Sequence, residues 1–365
     1  MNILLLSAYD AASHRMWREG LVRHLSEHEW TVLTLPPRFF AWRSRGNALT
    51  WAFGEREMLS REYDLLVVTS MTDLAELKGL VPALAQIPAI VYFHENQFAY
   101  PEQRGRIGYQ NYKLTNLYTA LAARKVLFNS AYNRQTMLDG VRRLLSAMPD
   151  GVPKGIVEEV ESRSAVLPVP MEKSCYLEGS GAPGPLRILW NHRWEHDKAP
   201  ERLFGALFRL RERKVPFHLH FLGQRFRDLP PGFDGARENL GDSVKTWGFV
   251  EGEEEYRSIL AAADLVVSTA LHDFQGLAVL EAVAAGCLPL VPDRLAYREI
   301  FPEPLRYTSR EEDPEGEMDI LARHLEEMCR DPEATRQRKP PDLRYLSWEN
   351  MAGKYREIIN AVSRV

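Results

Sequence analysis

The feature that most constrains this chain is the alternation of short apolar runs with helix-length amphipathic stretches. In the first half the runs Asn2–Ser7, Thr31–Leu35, Asp64–Ser70, Ala89–His94, Lys125–Ser130 and Ala165–Val169 read as strands. Leu65-Leu66-Val67-Val68 has no polar alternate residue, so both of its faces must be covered, as in a parallel sheet. Helical patterns near His14–Ser26, Asp73–Ala85, Gln110–Ala123 and Asn133–Met148 separate the strands, which makes βαβ units and a doubly wound sheet. The rhythm stops at Glu178-Gly-Ser-Gly-Ala-Pro-Gly-Pro185 and restarts at Leu186. Strands at Leu186–Asn191, Phe217–Gly223, Lys245–Phe249, Asp264–Thr269 and Cys287–Val291 then alternate with helices near Ala199–Arg213, Glu253–Ala262 and Gly276–Ala285. Two α/β domains of Rossmann-like form are expected in tandem: residues 1–170, a linker at 171–185, residues 186–345, and a closing helix at 346–365.

Length agrees, since 365 residues exceed what one hydrophobic core serves. In the closing segment Ser347 can cap a helix whose apolar residues Trp348, Met351, Tyr355, Ile359 and Val362 share one stripe. Such a helix can cross back to the first domain or stay on its own. No apolar run approaches a membrane span, and Asn2–Ser7 is too short for a signal peptide. Cys175, Cys287 and Cys329 are scattered, odd in number and without metal-ligand spacing, which fits a reducing cytoplasm. A net charge of −4 argues against a chain held to nucleic acid by its overall field.

Two motifs mislead. Gly179-Ser-Gly181-Ala-Pro-Gly184 matches the dinucleotide pattern but precedes a strand and contains Pro183, so no helix N-terminus can meet a pyrophosphate there. His192-Arg-Trp-Glu195-His196 matches a zinc-protease pattern, yet it lies in a turn ahead of a helix that Pro200 opens. No metal site is expected.

Four stretches at βα turns suit transfer of a group from a diphosphate donor. Arg193 and Lys198 follow a strand and open a helix, which makes an anion site. Asp273-Phe-Gln-Gly276 leads into an apolar helix carrying Glu281, a carboxylate that needs a partner; ribose hydroxyls or an internal ion pair would serve. His94-Glu95-Asn96-Gln97 stands where the strand Ala89–Phe93 exits. Ser7–His14, with Asp10, is a small polar turn whose backbone N–H groups could meet a phosphate.

The spacing Asp273–x7–Glu281 with Gly276 between, and Arg193–x4–Lys198, resembles glycosyltransferase family 4, which are retaining, metal-independent enzymes of the GT-B fold. Within it the chain looks like the tRNA-queuosine α-mannosyltransferase group. The residues behind that are His94-Glu-Asn-Gln97 with Tyr100-Pro101, Phe128-Asn-Ser130, His192 through Lys198, His272 through Gly276, Glu281-Ala-Val and Tyr297-x-Glu299-Ile-Phe-Pro302. The resemblance implies two Rossmann-like domains facing across a cleft, no cofactor, GDP-mannose as co-substrate, and queuosine in a tRNA anticodon loop as acceptor. It implies that Arg193 and Lys198 hold the diphosphate and Glu281 the ribose. Asp273 would contact the sugar, the Gly276–Leu277 backbone would lie beside it, and His94 would approach from the acceptor side. The Asp10–His14 turn would face both substrates. Asp273 departs from a commoner Glu and Ala11-Ala12 from a commoner Gly-Gly, which bears on sugar preference and on phosphate contact.

Arg38-Phe-Phe-Ala-Trp-Arg43-Ser-Arg45 with Trp51 and Phe53, and Tyr100 to Lys113 with Arg104 and Arg106, interleave guanidiniums and rings. That composition suits phosphates with unstacked bases, an anionic membrane surface, or a plain surface. The acceptor set is therefore Asp10, His14, Glu95, Asn96, Gln97, Arg43, Arg45, Arg104 and Arg106. The same chemistry on a lipid or glycan acceptor, and a two-domain binding protein without catalysis, are the competing readings. No oligomeric state is implied.

Overall fold

The computed structural model describes residues 1–100, 109–225, 232–233 and 235–364. The chain divides into two compact units: Met1–Pro170 with Trp348–Val365, and Met171–Ser347. Each holds one six-stranded, all-parallel sheet.

In the first unit β1 (Asn2–Ser7), β2 (Glu29–Thr34), β3 (Leu65–Thr69), β4 (Ala89–Phe93), β5 (Lys125–Phe128) and β6 (Ser164–Val166) lie in the order β2-β1-β3-β4-β5-β6. Every residue of β3 and β4 is buried, as their unbroken apolar runs require. The helix Trp348–Ser363 packs on the helix Ala12–His24 of this unit and buries all five residues of its expected stripe. Gly20 lets it approach, because a Cβ there would stand inside the Trp348 indole. Trp17 Nε1 donates to Tyr355 Oη at 3.1 Å, and Tyr355 Oη donates to Pro168 O at 3.0 Å.

In the second unit β7 (Leu186–Asn191), β8 (Phe217–Leu222), β9 (Val244–Gly248), β10 (Leu265–Val267), β11 (Leu288–Pro292) and β12 (Arg306–Tyr307) take the order β12-β11-β10-β7-β8-β9. The reversal therefore falls between β7 and β10, and both halves of the chain are doubly wound as expected.

The structure adds helices that the periodicity did not mark, at Phe40–Gly54, Ile156–Arg163, Pro314–Arg330 and Pro332–Gln337. Phe40–Gly54 was hidden because apolar residues stand on both of its sides. It buries Ser44, Asn47, Ala48, Trp51 and Ala52 while Trp42, Leu49 and Phe53 stay exposed. Among the described residues no helix is long and apolar enough to cross a membrane.

One buried ionic cluster fixes the loop after β10. Glu317 accepts from Arg294 Nη1 and Nη2 at 2.7 and 2.9 Å, and Arg202 Nη1 stands 2.9 Å away. Burial alone would raise the Glu317 carboxyl, but the Arg294 hydrogen bonds outweigh it and hold it below the ordinary range. Arg294 in turn donates to the carbonyls of Thr269 and Ala270. Glu317→Ala would strand two buried guanidiniums. We expect it to cost about 3–5 kcal/mol, read as a shift in the urea midpoint, with Glu317→Gln intermediate; an unchanged midpoint would refute the anchoring role.

Candidate active site

In open α/β sheets ligands bind beyond the carboxyl ends of the strands, where strand order reverses. In the second unit that point is the β7/β10 boundary. His192 and Arg193 follow β7, and Ser268 to Gly276 follow β10. Lys198 ends the short turn His196–Lys198, just before Pro200 opens the helix Pro200–Glu212. Its ammonium is buried, donates to His272 O, and lies 3.2 Å from Asp197 and 3.8 Å from Asp273. Burial would lower its pKa, but the Asp273 and Asp197 charges outweigh that and raise it. Arg193 is more than half exposed, with its guanidinium 2.9 Å from Glu195. The two cations expected at this turn thus differ, one locked and one accessible.

Asp273 is held from three sides. Its Oδ1 accepts from the Gly276 N–H at 3.0 Å, while its Oδ2 faces Lys198 and accepts from Tyr297 Oη at 3.3 Å. Burial would raise this carboxyl, yet Lys198 holds it below the ordinary range. Ser268 Oγ lies 2.9 Å from Tyr297 Oη and 3.1 Å from His192 Nε2. Tyr297 has one proton and gives it to Asp273, so Ser268 donates to Tyr297 and His192 Nε2 donates to Ser268. Burial pushes the His192 imidazole down to about 4, so at neutral pH it is uncharged, as this tautomer requires. A chain of oriented dipoles ends on the Asp273 carboxylate. Gly276 has φ +76°, and the Tyr297 ring occupies the space that a Cβ would need. It precedes the helix Leu277–Ala284, whose N-terminal N–H groups and dipole favour an anion.

Glu281 sits on that helix, and its Oε2 accepts from Tyr256 Oη at 2.8 Å. Asn191, the last residue of β7, donates to the same Tyr256 oxygen at 2.8 Å and to Ala278 O. The expected partner for this carboxylate is therefore a neutral phenol rather than a cation, and burial raises its pKa. Tyr256, Asn191, Ser268 and His192 were not singled out as site residues from sequence. Tyr297 lay within a recognised motif but had no role, because its contact with Asp273 joins two separate βα turns.

In the first unit three βα turns converge at the β1/β3 reversal. His14 Nε2 is 3.1 Å from Glu95 Oε2, and Ser70 Oγ donates to Glu95 Oε1 at 3.4 Å. The His14 and His94 rings stack at 4.1 Å, and Trp17 closes on the His94 edge. Burial and the neighbouring His14 keep the His94 imidazole well below its usual pKa. Its Nε2 is buried and has no hydrogen-bond partner among the described residues.

Of the other expected acceptor residues, Asp10, Asn96 and Gln97 are buried, whereas Arg43 and Arg45 keep part of their surface exposed. Asp10 is clamped by Arg18 through bonds of 3.2 and 3.0 Å, and the Asp10 and Ala11 N–H groups donate to Leu35 O and Tyr9 O. Asn96 is buried: its amide donates to Asn133 and Thr136 and accepts from the N–H groups of Phe98 and Ala99, so it shapes the loop. The Gln97 side chain is buried beside Met71. Arg45 pairs with Asp73 at 2.7 Å, and Arg43 donates to Pro36 O. Arg104 and Arg106 lie outside the described residues.

Because the folded Glu281 carboxyl has a raised pKa, the native chain retains a proton that the unfolded chain releases first. Its contribution to stability is full below the ordinary carboxylate range and is lost as pH rises through the folded pKa. The stability of the native chain relative to Glu281→Gln should fall over that window and then level off, measured as urea midpoints across pH. A difference independent of pH would refute it.

Comparison with known proteins agrees with this geometry. Residues 2–171 match the family model for the N-terminal part of tRNA-queuosine alpha-mannosyltransferase, and residues 186–326 match the model for glycosyl transferases group 1. The chain is 33% identical to the tRNA-queuosine alpha-mannosyltransferase of Drosophila melanogaster over 366 residues, covering 97% of this chain and 93% of that one. The fold matches sucrose-phosphate synthase from Thermosynechococcus elongatus at TM-score 0.70 and 15% identity, covering 99% of this chain and 100% of that one. Anabaena HepE in complex with UDP-glucose matches at TM-score 0.67, with 15% identity and the same coverage. Two Rossmann-like sheets of the GT-B kind, a glycosyltransferase domain and end-to-end similarity to a curated relative lead to one conclusion: this chain is a glycosyltransferase of the tRNA-queuosine α-mannosyltransferase family.

Proposed function

We propose that this chain transfers mannose from GDP-mannose to queuosine in the anticodon loop of a tRNA, with retention and without a metal ion or other cofactor. The observation that carries the reading is the group at the β7/β10 reversal: Arg193, Lys198 and the N-terminus of the helix Leu277–Ala284 around a fixed Asp273. Diphosphate charge is there met by cations and a helix dipole, so the chemistry needs no metal to neutralise it.

Arg193 is accessible and takes the outer phosphate oxygens of the donor. Lys198 is held by Asp197 and Asp273 and lends charge through a fixed position. Asp273, oriented by Tyr297, Lys198 and the Gly276 N–H, accepts from hydroxyls of the sugar. Glu281, supported by Tyr256, accepts from the ribose. On the acceptor side the unpartnered Nε2 of neutral His94 meets a sugar hydroxyl, and the His14–Glu95 pair faces the incoming diol.

Transfer is front-face. The bond from the anomeric carbon to the diphosphate oxygen breaks, and the queuosine hydroxyl oxygen bonds to that carbon on the same side. Its proton passes to the departing phosphate oxygen, so GDP leaves protonated and no enzyme nucleophile is needed. With a tRNA acceptor and three free cysteines, the enzyme works in the cytoplasm.

The test is mass spectrometry of nucleosides from tRNA with and without queuosine after incubation with GDP-mannose. A hexose on queuosine alone is expected, in EDTA as well. Equal labelling of both tRNAs, or of a lipid extract instead, overturns the acceptor, and loss of turnover in EDTA restored by magnesium overturns metal independence. Arg193→Ala should cost about 2–4 kcal/mol in kcat/KM, as for loss of a preorganised donor, whereas Glu281→Ala should act mainly on donor KM.

A further inference from the structure

The helix Phe40–Gly54 presents an exposed stripe for which the proposed chemistry has no use. Trp42, Gly46, Leu49 and Phe53 recur at spacings of four, three and four, which puts them on one face of the helix, and Phe39 precedes it in a left-handed turn. Phe39, Trp42, Leu49 and Phe53 are 70, 53, 40 and 70% exposed. Gly46 is part of the arrangement: the Trp42 ring lies in the space that its Cβ would fill, so the indole lies flat along the helix with its other face outward. From Pro36 to Gly54 there are three arginines and no acid. Arg45 is neutralised by Asp73, but Arg38 is exposed beside the Phe39 ring.

Phe40, at the start of the helix and off this stripe, leads toward the first-unit site. Phe40 meets Tyr9 edge-on at 5.9 Å and Tyr112 at 5.4 Å. Tyr9 belongs to the βα turn after β1, which also carries His14. An aromatic path therefore runs from that turn out along the helix.

We propose that this path is the platform on which the single-stranded bases flanking the modified nucleoside stack. Flat, exposed rings carry unstacked bases of any sequence, and Arg38 beside Phe39 and Arg56 over Phe53 offer charge to their phosphates. The proposal rests on the tRNA reading above and names the surface that reading lacks, since Asp10, Asn96 and Arg45 are already engaged.

The experiment uses the full chain and queuosine-containing tRNA. Trp42→Ala and Phe53→Ala should each weaken tRNA binding roughly 5- to 100-fold, as for other stacking side chains, with donor KM and melting temperature unchanged. Gly46→Ala, which keeps the indole but lifts it off the helix, should weaken binding as well. The slope of log Kd against log salt should stay at the wild-type value in these three variants and fall by about one in Arg38→Gln, which loses a phosphate contact. Wild-type tRNA affinity in Trp42→Ala, Phe53→Ala and Gly46→Ala overturns the platform while leaving the transfer reaction standing. So does the same result with loss of sedimentation on anionic vesicles, or with conversion of a dimer to a monomer, which reassigns the stripe to lipid or to self-association. Absence of transfer to tRNA by the wild-type chain is the separate failure of the underlying reading.

Discussion

Parallel strand pairing is the constraint on which everything else in this molecule depends. Two neighbouring strands can run the same way only if the chain is carried back across a face of the sheet between them. Every strand-to-helix turn then emerges at the same edge, and residues far apart in sequence meet there. Asn191, Asp273 and Tyr297 belong to three such turns of the second sheet; Ser7 to His14, Ser70 and His94 belong to three of the first. The apolar interior of each sheet sets nothing about chemistry directly, but it makes this convergence rigid.

The polar groups at those edges are held by one another more than by the chain beside them. Asp273 illustrates this: its three partners come from the turn after β7, the turn after β11 and its own loop. The Arg294–Glu317 pair works one step further out, fixing the carbonyls of Thr269 and Ala270 from below. Such buried, fully connected networks are costly to leave half satisfied, so they tolerate one geometry. A carboxylate fixed this way needs little rearrangement when a ligand arrives, which is what an electrostatic site requires.

The first unit is built differently. Its turn residues are stacked as well as paired: His14 bonds Glu95 and lies on His94, Trp17 stands against His94, and Tyr92 and Tyr355 close the other side. Aromatic walls exclude water and keep His94 neutral, whereas the second unit gathers charge.

Sequence by itself determined the number of sheets, their parallel sense, and the strand ends and helix starts at which His94, Arg193, Lys198, Asp273 and Glu281 stand. Apolar run length and period report burial directly, and a βα turn is local. Tertiary structure alone decided which polar groups were available. Asp10 and Asn96 looked like ligands-in-waiting and are buried against Arg18 and Asn133, partners 8 and 37 residues away. It also decided that Tyr256 supports Glu281 and Tyr297 supports Asp273, because hydrogen bonds between separate turns leave no period in the sequence. The helix Phe40–Gly54 is the sharpest case. Its sequence shows rings among arginines, but apolar residues on both the buried and the exposed side erase the single stripe by which helices are recognised. Only the packing of Ser44, Asn47 and Ala48 against the core reveals which side is outside.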